Sequence, residues 1–581
     1  MPPISDEEWA DLVAHELPHK DDAVIAKYLE SRHALMAEEK KHRSAADGCR
    51  ADYSFRRALS PIAKKACEIV TRIRDEELAA RAAAGTAPRS SLEGDARQTA
   101  RSWQIIRRMP KGALLRANHD TMIDIDHLLE VALRTPGLHI SCPDGNLATA
   151  EARRKGGLRI RFRATEGTED SLWTSDYKPG TSILLTKAAD RYPEGGRRGF
   201  VKWLKGRCMI AEQERNLPGL GKVPSPCSDI IHGMIHYEPI WRASLQRLMS
   251  CMVEDGIYWL ELRIVFPLVY YREGSETPEP DYDHMFRALG EEVANFQAVN
   301  PGRPFWGLRV VWSTMRDQDP RSIIEQVDEC IATKLTWPHL VAGYDLAGSE
   351  HLGRPLSDLL PELFWFRKQC ALEGVQIPLF LRAAEGHDGG GGGDATDGNL
   401  FDALLLGARR IGDALALYRH PRLVEAVRDR HLLVESCPTS IDALGLSRNI
   451  AHHPLLSMLA QGVPCALCQD DLGVRGEGCA GRMTNEFWRV LNVWDSMDLA
   501  CLGSLAENSV RWAAFEDQDS ETWLNEIRAA SVGAGVKARR LQQWAVEWEH
   551  FCLWIVTEYG DTIRGGGNDD ITDHIGHDAA E

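Results

Sequence analysis

The sequence predicts an α/β protein built on a (β/α)8 barrel of the TIM type, with helices on either side of it in the chain. Three observations carry that expectation. Between about 110 and 500, short apolar segments alternate with helix-patterned stretches. Eight such segments occur, the number a closed parallel barrel requires. Long amphipathic stretches stand before the first segment and after the last, where a barrel takes its accessory helices.

Taken in order, EEWADLVAHEL, DAVIAKYLESRHALMAEEKKHR and LSPIAKKACEIVTRIRDEELAARAAA repeat apolar residues every three or four positions and predict N-terminal helices. Such helices must cover either the barrel or a second subunit. The strand candidates are 112–118, 256–266, 305–315, 340–348, 377–385, 408–417, 432–440 and 464–471. Between the first and second lies a long segment with its own strand-like pieces, LRIRFRA and TSILLTKA, read as an insertion. The expected organisation is an N-terminal helical region over 1–105 and a barrel start over 106–138. An inserted subdomain with connecting helices follows over 139–235, then the barrel remainder over 236–505, C-terminal helices over 506–562 and a disordered tail over 563–581. The glycine-rich stretch 386–398 is expected to be a loop after the fifth barrel strand, on the face where barrel active sites sit.

Composition narrows the function. The 68 lysines and arginines against 85 aspartates and glutamates give a net charge of −17, the wrong sign for nucleic acid or an anionic membrane. No apolar run approaches the ~18 residues of a membrane span, and the acidic N-terminus is unlike a signal peptide. The expectation is a cytoplasmic protein acting on a small molecule, with all 14 cysteines reduced. Cys465 and Cys468, the one Cys-x-x-Cys pair, fall on a strand and should face opposite sides, so they suit neither zinc nor a disulfide.

MPKGALL with its following xAxxD (109–120), GIYWLELR (256–263), GYDLAGSE (343–350), DGNLFDALLLGARRIG (397–412), VESCPTS (434–440) and GVPCALCQDD (462–471) resemble the adenosine deaminase-related growth factors of the adenosine deaminase superfamily. SDYKPGTSILLTKAADRYPEGGRRGFVKWLKGRC (175–208) and IHYEPIWR (235–242) resemble cytosolic fungal members of that branch. The resemblance implies an amidohydrolase barrel, an insertion after strand one and N-terminal helices that dimerise in relatives. It also implies a zinc ion, held in relatives by a His-x-His pair after strand one, a His in His-Ala-Gly-Glu after strand five and the first Asp of Asp-Asp-Pro after strand eight.

Here those motifs read differently. His-x-His is Arg116-Ala117-Asn118, and His-Ala-Gly-Glu is Arg382-Ala383-Ala384-Glu385. Ile-Gly-His-Gly, whose His orients the attacking hydroxide in relatives, is Ile411-Gly412-Asp413-Ala414, and Asp-Asp-Pro is Asp470-Asp471-Leu472. A guanidinium cannot ligate zinc, and no metal or other cofactor is expected. If the family register holds, Arg116 and Arg382 enter the volume of the dication and the surviving carboxylates gain cationic partners.

The leading expectation is therefore metal-independent acid–base chemistry on a small organic molecule: cyclisation, condensation, isomerisation or elimination in a biosynthetic pathway. Glu385, Asp413, Asp470 and Asp471 are the catalytic candidates, and Arg116, Asn118, Arg382, Gly348 and Trp259 the substrate-binding ones. Trp306 and Trp312 would extend an aromatic wall, and Gly348 matches a family backbone contact to the purine. One alternative is a non-catalytic pseudoenzyme or scaffold whose arginines plug the site. A second is a deaminase with a displaced metal, using His119 or His387. An open pocket would favour the enzyme; carboxylates forked to the arginines with no cavity would favour the scaffold.

Overall fold

The protein is described from a computed structural model covering Lys27 and residues 50–83, 99–165, 168, 170–209, 225–302, 305–350, 353–384, 393–443, 450–469 and 481–560. Eleven strands run in chain order: β1 (Gly112–Asn118), β2 (Leu138–Ser141), β3 (Arg159–Phe162), β4 (Ile183–Leu184), β5 (Ile257–Phe266), β6 (Gly307–Met315), β7 (Val341–Ala347), β8 (Phe380–Ala383), β9 (Arg410–Asp413), β10 (Leu433–Ser436) and β11 (Cys465–Leu467).

Two parallel four-stranded sheets, β1-β5-β6-β7 and β11-β10-β9-β8, form the barrel. One seam is a single parallel bridge from Tyr344 to Leu379, reinforced by Tyr344 N–H donating to Pro378 O at 2.9 Å. At the other, Gln469 N–H donates to Arg116 O at 3.4 Å. Eight parallel strands thus make the TIM-type barrel, each coinciding with a strand expected from the sequence. β2, β3 and β4 pair antiparallel in the order β3-β2-β4 and form the insertion between β1 and β5. β2 is the one strand with no precedent in the sequence reading.

Helix starts follow local chemistry. Asp124, Asp319, Asp498 and Asp519 each accept a backbone N–H of the first helical turn that follows, meeting donors left without intrahelical acceptors. The described N-terminal helix Pro61–Ala83 packs on the C-terminal helix Val536–Tyr559 of the same chain. Nearby, Phe55 meets the Trp548 ring at 5.6 Å, and Ser60 donates to Glu549 at 2.7 Å. This part of the N-terminal region covers its own chain; most of residues 1–49 and all of 561–581 lie outside the described residues.

The segment after Leu499–Arg511 seals the N-terminal end of the barrel. Ala514 N–H donates to Glu261 at 2.7 Å, and Trp512 O accepts from Arg410 at 2.9 Å. No helix among the described residues is long and apolar enough to cross a membrane.

One cysteine departs from expectation: Cys251 is disulfide-bonded. Ten others, Cys465 and Cys468 among them, are free thiols.

Candidate functional site

Inside the barrel, alternation along each strand sends charged side chains to the axis. On β5, Glu261 and Arg263 share the inner face; β9 supplies Arg410, β10 Glu435 and β7 Asp345. All five are at most 2% exposed. They form a ladder: Arg410 donates to Glu261 at 2.5 Å and to Glu435 at 2.7 Å, and Arg263 donates to Glu435 and to Asp345, both at 2.8 Å. Arg263 also donates to Leu115 O at 3.0 Å, and the Arg410 guanidinium lies 3.7 Å from the Phe380 ring centroid. Burying charge is tolerable only when it is paired and hydrogen-bonded, and each ladder member has such a partner.

Above the ladder, toward the C-terminal strand ends, lies a second group. Arg116 on β1 forms an ion pair with Asp413 at 2.8 Å, and Arg382 on β8 approaches the other Asp413 oxygen at 3.8 Å. Arg116 is 2% exposed, Asp413 1% and Arg382 9%. Alternation along β9 would turn Asp413 outward with Ile411. Its φ of +65° breaks the alternation and brings the carboxylate to the arginines. Gly412 makes the room: a Cβ there would stand 2.9 Å from Arg116 Nη1. Across ladder and cluster, four arginines (116, 263, 382, 410) face four carboxylates (Glu261, Asp345, Asp413, Glu435), so the charges balance.

The sequence candidates therefore separate. Arg116 and Arg382 converge as the register predicts, and Asp413 joins them through its left-handed backbone. Asn118 ends β1 beside them, partly buried, and Gly348 lies just past β7 with φ +98°. Glu385, Asp470, Asp471 and His387 lie outside the described residues.

Trp259 does not belong to this site. Near the start of β5, it donates to Glu261 at 3.2 Å and packs edge-on against Phe515, at the opposite end of the barrel from the cluster. Trp306 lies at that same end, and Trp312 stacks on Phe266 at 3.6 Å in the apolar core. An aromatic wall at the strand C-termini is thus overturned, because a residue near the start of a parallel strand sits at the closed end.

His119 turns away from the cluster, as one step along a strand requires. Its Nδ1 lies 3.2 Å from Asp120, whose other oxygen is 2.8 Å from His232 Nε2. His236 stacks between them, with ring centroids 4.8 Å from His232 and 6.4 Å from His119. Burial and then the two imidazoles hold His236 down to about 3. Despite burial, hydrogen bonds from His119 and His232 hold the Asp120 carboxyl well below the usual range, and the bond to Asp120 raises His232.

Two mouth residues were missed by the sequence reading. Glu350, 5% exposed, accepts from Ala384 N–H at 2.8 Å and from Asn399 at 3.2 Å, pinning the chain directly before Glu385. Arg316, fully buried after β6, reaches the carbonyls of Leu346 and Arg382 at 3.4 and 3.3 Å. The ladder was missed as well, although Glu261 and Arg263 alternating within an otherwise apolar strand are its signature.

Zinc, which the resemblance implies, does not fit the described cluster. Guanidinium nitrogens carry no lone pair for a metal, they repel a cation, and the one carboxylate among them is engaged by both. Cys468, just past β11, has its thiol pushed well up by burial and by Glu435.

Residues 249–530 match the adenosine deaminase family model. Among similar relatives, adenosine deaminase 2-A of Danio rerio is 26% identical over 436 residues, covering 73% of this chain and 79% of that protein. Adenosine deaminase 2 of Homo sapiens is 26% identical over 466 residues, covering 78% and 81%. Adenosine deaminase 2 of Sus scrofa is 29% identical over 435 residues, covering 72% and 79%. Residues 249–530 thus resemble the adenosine deaminase family, and the barrel with its insertion after the first strand has an adenosine deaminase-type α/β fold.

Proposed function

We propose that the chain is a non-catalytic deaminase-family protein, a binding or scaffold barrel in which an arginine–aspartate–arginine cluster replaces the metal centre. The observation that carries this reading is the convergence of Arg116 and Arg382 on Asp413, with all three side chains at most 10% exposed. The sequence candidates for substrate binding, Arg116 and Arg382, are engaged by a carboxylate of the protein itself, and the candidate base, Asp413, is engaged by two cations. That mutual engagement is the feature expected of a plugged mouth rather than an open one.

A second reading, metal-independent acid–base chemistry centred on Glu385, is favoured by one observation. Ala384, immediately before it, has φ +58°, and Asp413 and Ala414 share that left-handed backbone. Strain of about 1–3 kcal/mol per such residue clusters at working sites.

The deciding experiment pairs metal analysis with an ammonia-release assay on adenosine. The proposal expects no stoichiometric zinc and no ammonia above the uncatalysed rate. Ammonia release at a measurable kcat that is lost on chelation would overturn it in favour of a displaced metal. Metal-free turnover of an organic substrate, abolished by Glu385→Gln, would overturn it in favour of acid–base catalysis.

A further inference from the structure

A cavity of about 500 Å³ opens at the N-terminal end of the barrel, between the β5 and β6 starts and the C-terminal helix. Its size falls in the ~300–1,000 Å³ range of small-molecule sites. The inner wall is aromatic: Tyr258, Phe305 and Trp306, each at most 9% exposed, with Tyr258 and Trp306 rings 5.1 Å apart. The wall is held by backbone, since Trp306 N–H donates to Tyr258 O at 2.6 Å. The rings pack against each other and together border the open volume.

Opposite them stands Arg540 on the C-terminal helix. Its guanidinium lies 5.1 Å from the Trp306 ring centroid, and its Nη1 donates to the Gln543 carboxamide at 2.9 Å. No carboxylate among the described residues lies within ion-pair distance of it. It differs in this from the buried arginines of the barrel axis, each matched to an acidic partner. A cation fixed beside a flat aromatic wall, in a cavity large enough for a ring, is complementary to a flat anion. Glu547, on the same helix, gives the cavity an acceptor at its other edge.

We infer that this cavity is a binding site for a planar aromatic ring bearing one carboxylate or phosphate, the ring against Tyr258 and Trp306 and the anion on Arg540. It lies at the opposite end of the barrel from Arg116, Arg382 and Asp413, so it does not depend on the reading of that cluster.

Isothermal titration with two probes, anthranilate and adenosine 5′-monophosphate, tests it on the full chain. At least one should bind with one-to-one stoichiometry and submillimolar Kd. Binding of anthranilate alone marks an aromatic carboxylate site, and of the monophosphate alone a nucleotide site. Arg540→Gln, on a half-exposed position, should weaken that binding about 10- to 100-fold, as expected for loss of a charge-assisted contact. Tyr258→Leu should weaken it too, whereas Arg539→Gln, at an exposed position outside the cavity lining, should leave it unchanged. Absence of binding by both probes, or equal affinity in wild type and Arg540→Gln, would overturn the inference.

Discussion

The guanidinium of Arg116 lies across Gly412, so close that a Cβ on that glycine would stand 2.9 Å from Nη1, and this contact delivers it to Asp413 at 2.8 Å. A glycine, an arginine from one strand and an aspartate in left-handed conformation are therefore one device.

Removing the charge of that aspartate should be costly. Asp413→Asn leaves Arg116 and Arg382 buried without their anion, and breaking a buried pair from one side costs about 3–5 kcal/mol. Urea denaturation should show a loss of that order with little change in m. A loss below about 1 kcal/mol would mean that the cluster is solvated rather than paired.

Gly412→Ala should destabilise by about 1–3 kcal/mol, because the new methyl group must push a confined guanidinium aside. In an Arg116→Ala background the same change should cost much less. Additive losses across the double-mutant cycle would contradict the contact.

The histidine cluster predicts the acid limb of stability. Burial with His232 and His119 nearby holds His236 at about 3, against ~6.5 when unfolded, so between those values the unfolded state binds the extra proton. Stability from this group is present above pH ~6.5 and is lost as pH falls toward 3. His232, raised by Asp120, acts oppositely, and its contribution fades as pH rises through its folded pKa. His236→Phe keeps the stack and removes the titration, so Tm between pH 4 and 6.5 should fall less steeply than in wild type. An unchanged slope would exclude His236 as its source.

The disulfide at Cys251 is countable. Of 14 cysteines, at most 12 should react with a thiol reagent in denaturant without reductant, and all 14 after reduction. Fourteen without reductant would restore the fully reduced expectation.

Much of this was legible beforehand. All eight barrel strands were read from apolar runs, since parallel strands buried on both faces stand out from the helices between them. Arg116 and Arg382 met because strand register fixes which side chains reach the axis, whereas Asp413 joined them through a left-handed backbone that breaks the alternation. β2 escaped because LHIS is a short segment without clear alternation. Trp259 was misplaced because residue type says nothing about which strand end faces the mouth. Glu350 and Arg316 were passed over because their roles, holding the Ala384 backbone and bridging carbonyls of β7 and β8, depend on segments far apart in sequence.

The most direct test is diffraction at the zinc absorption edge from crystals grown with excess zinc chloride. Arg116 and Arg382 in the metal's position predict clear density for both guanidiniums around Asp413 and no anomalous peak among the three. A peak ligated by Asp413 or Asp470, with either arginine swung away, would contradict it.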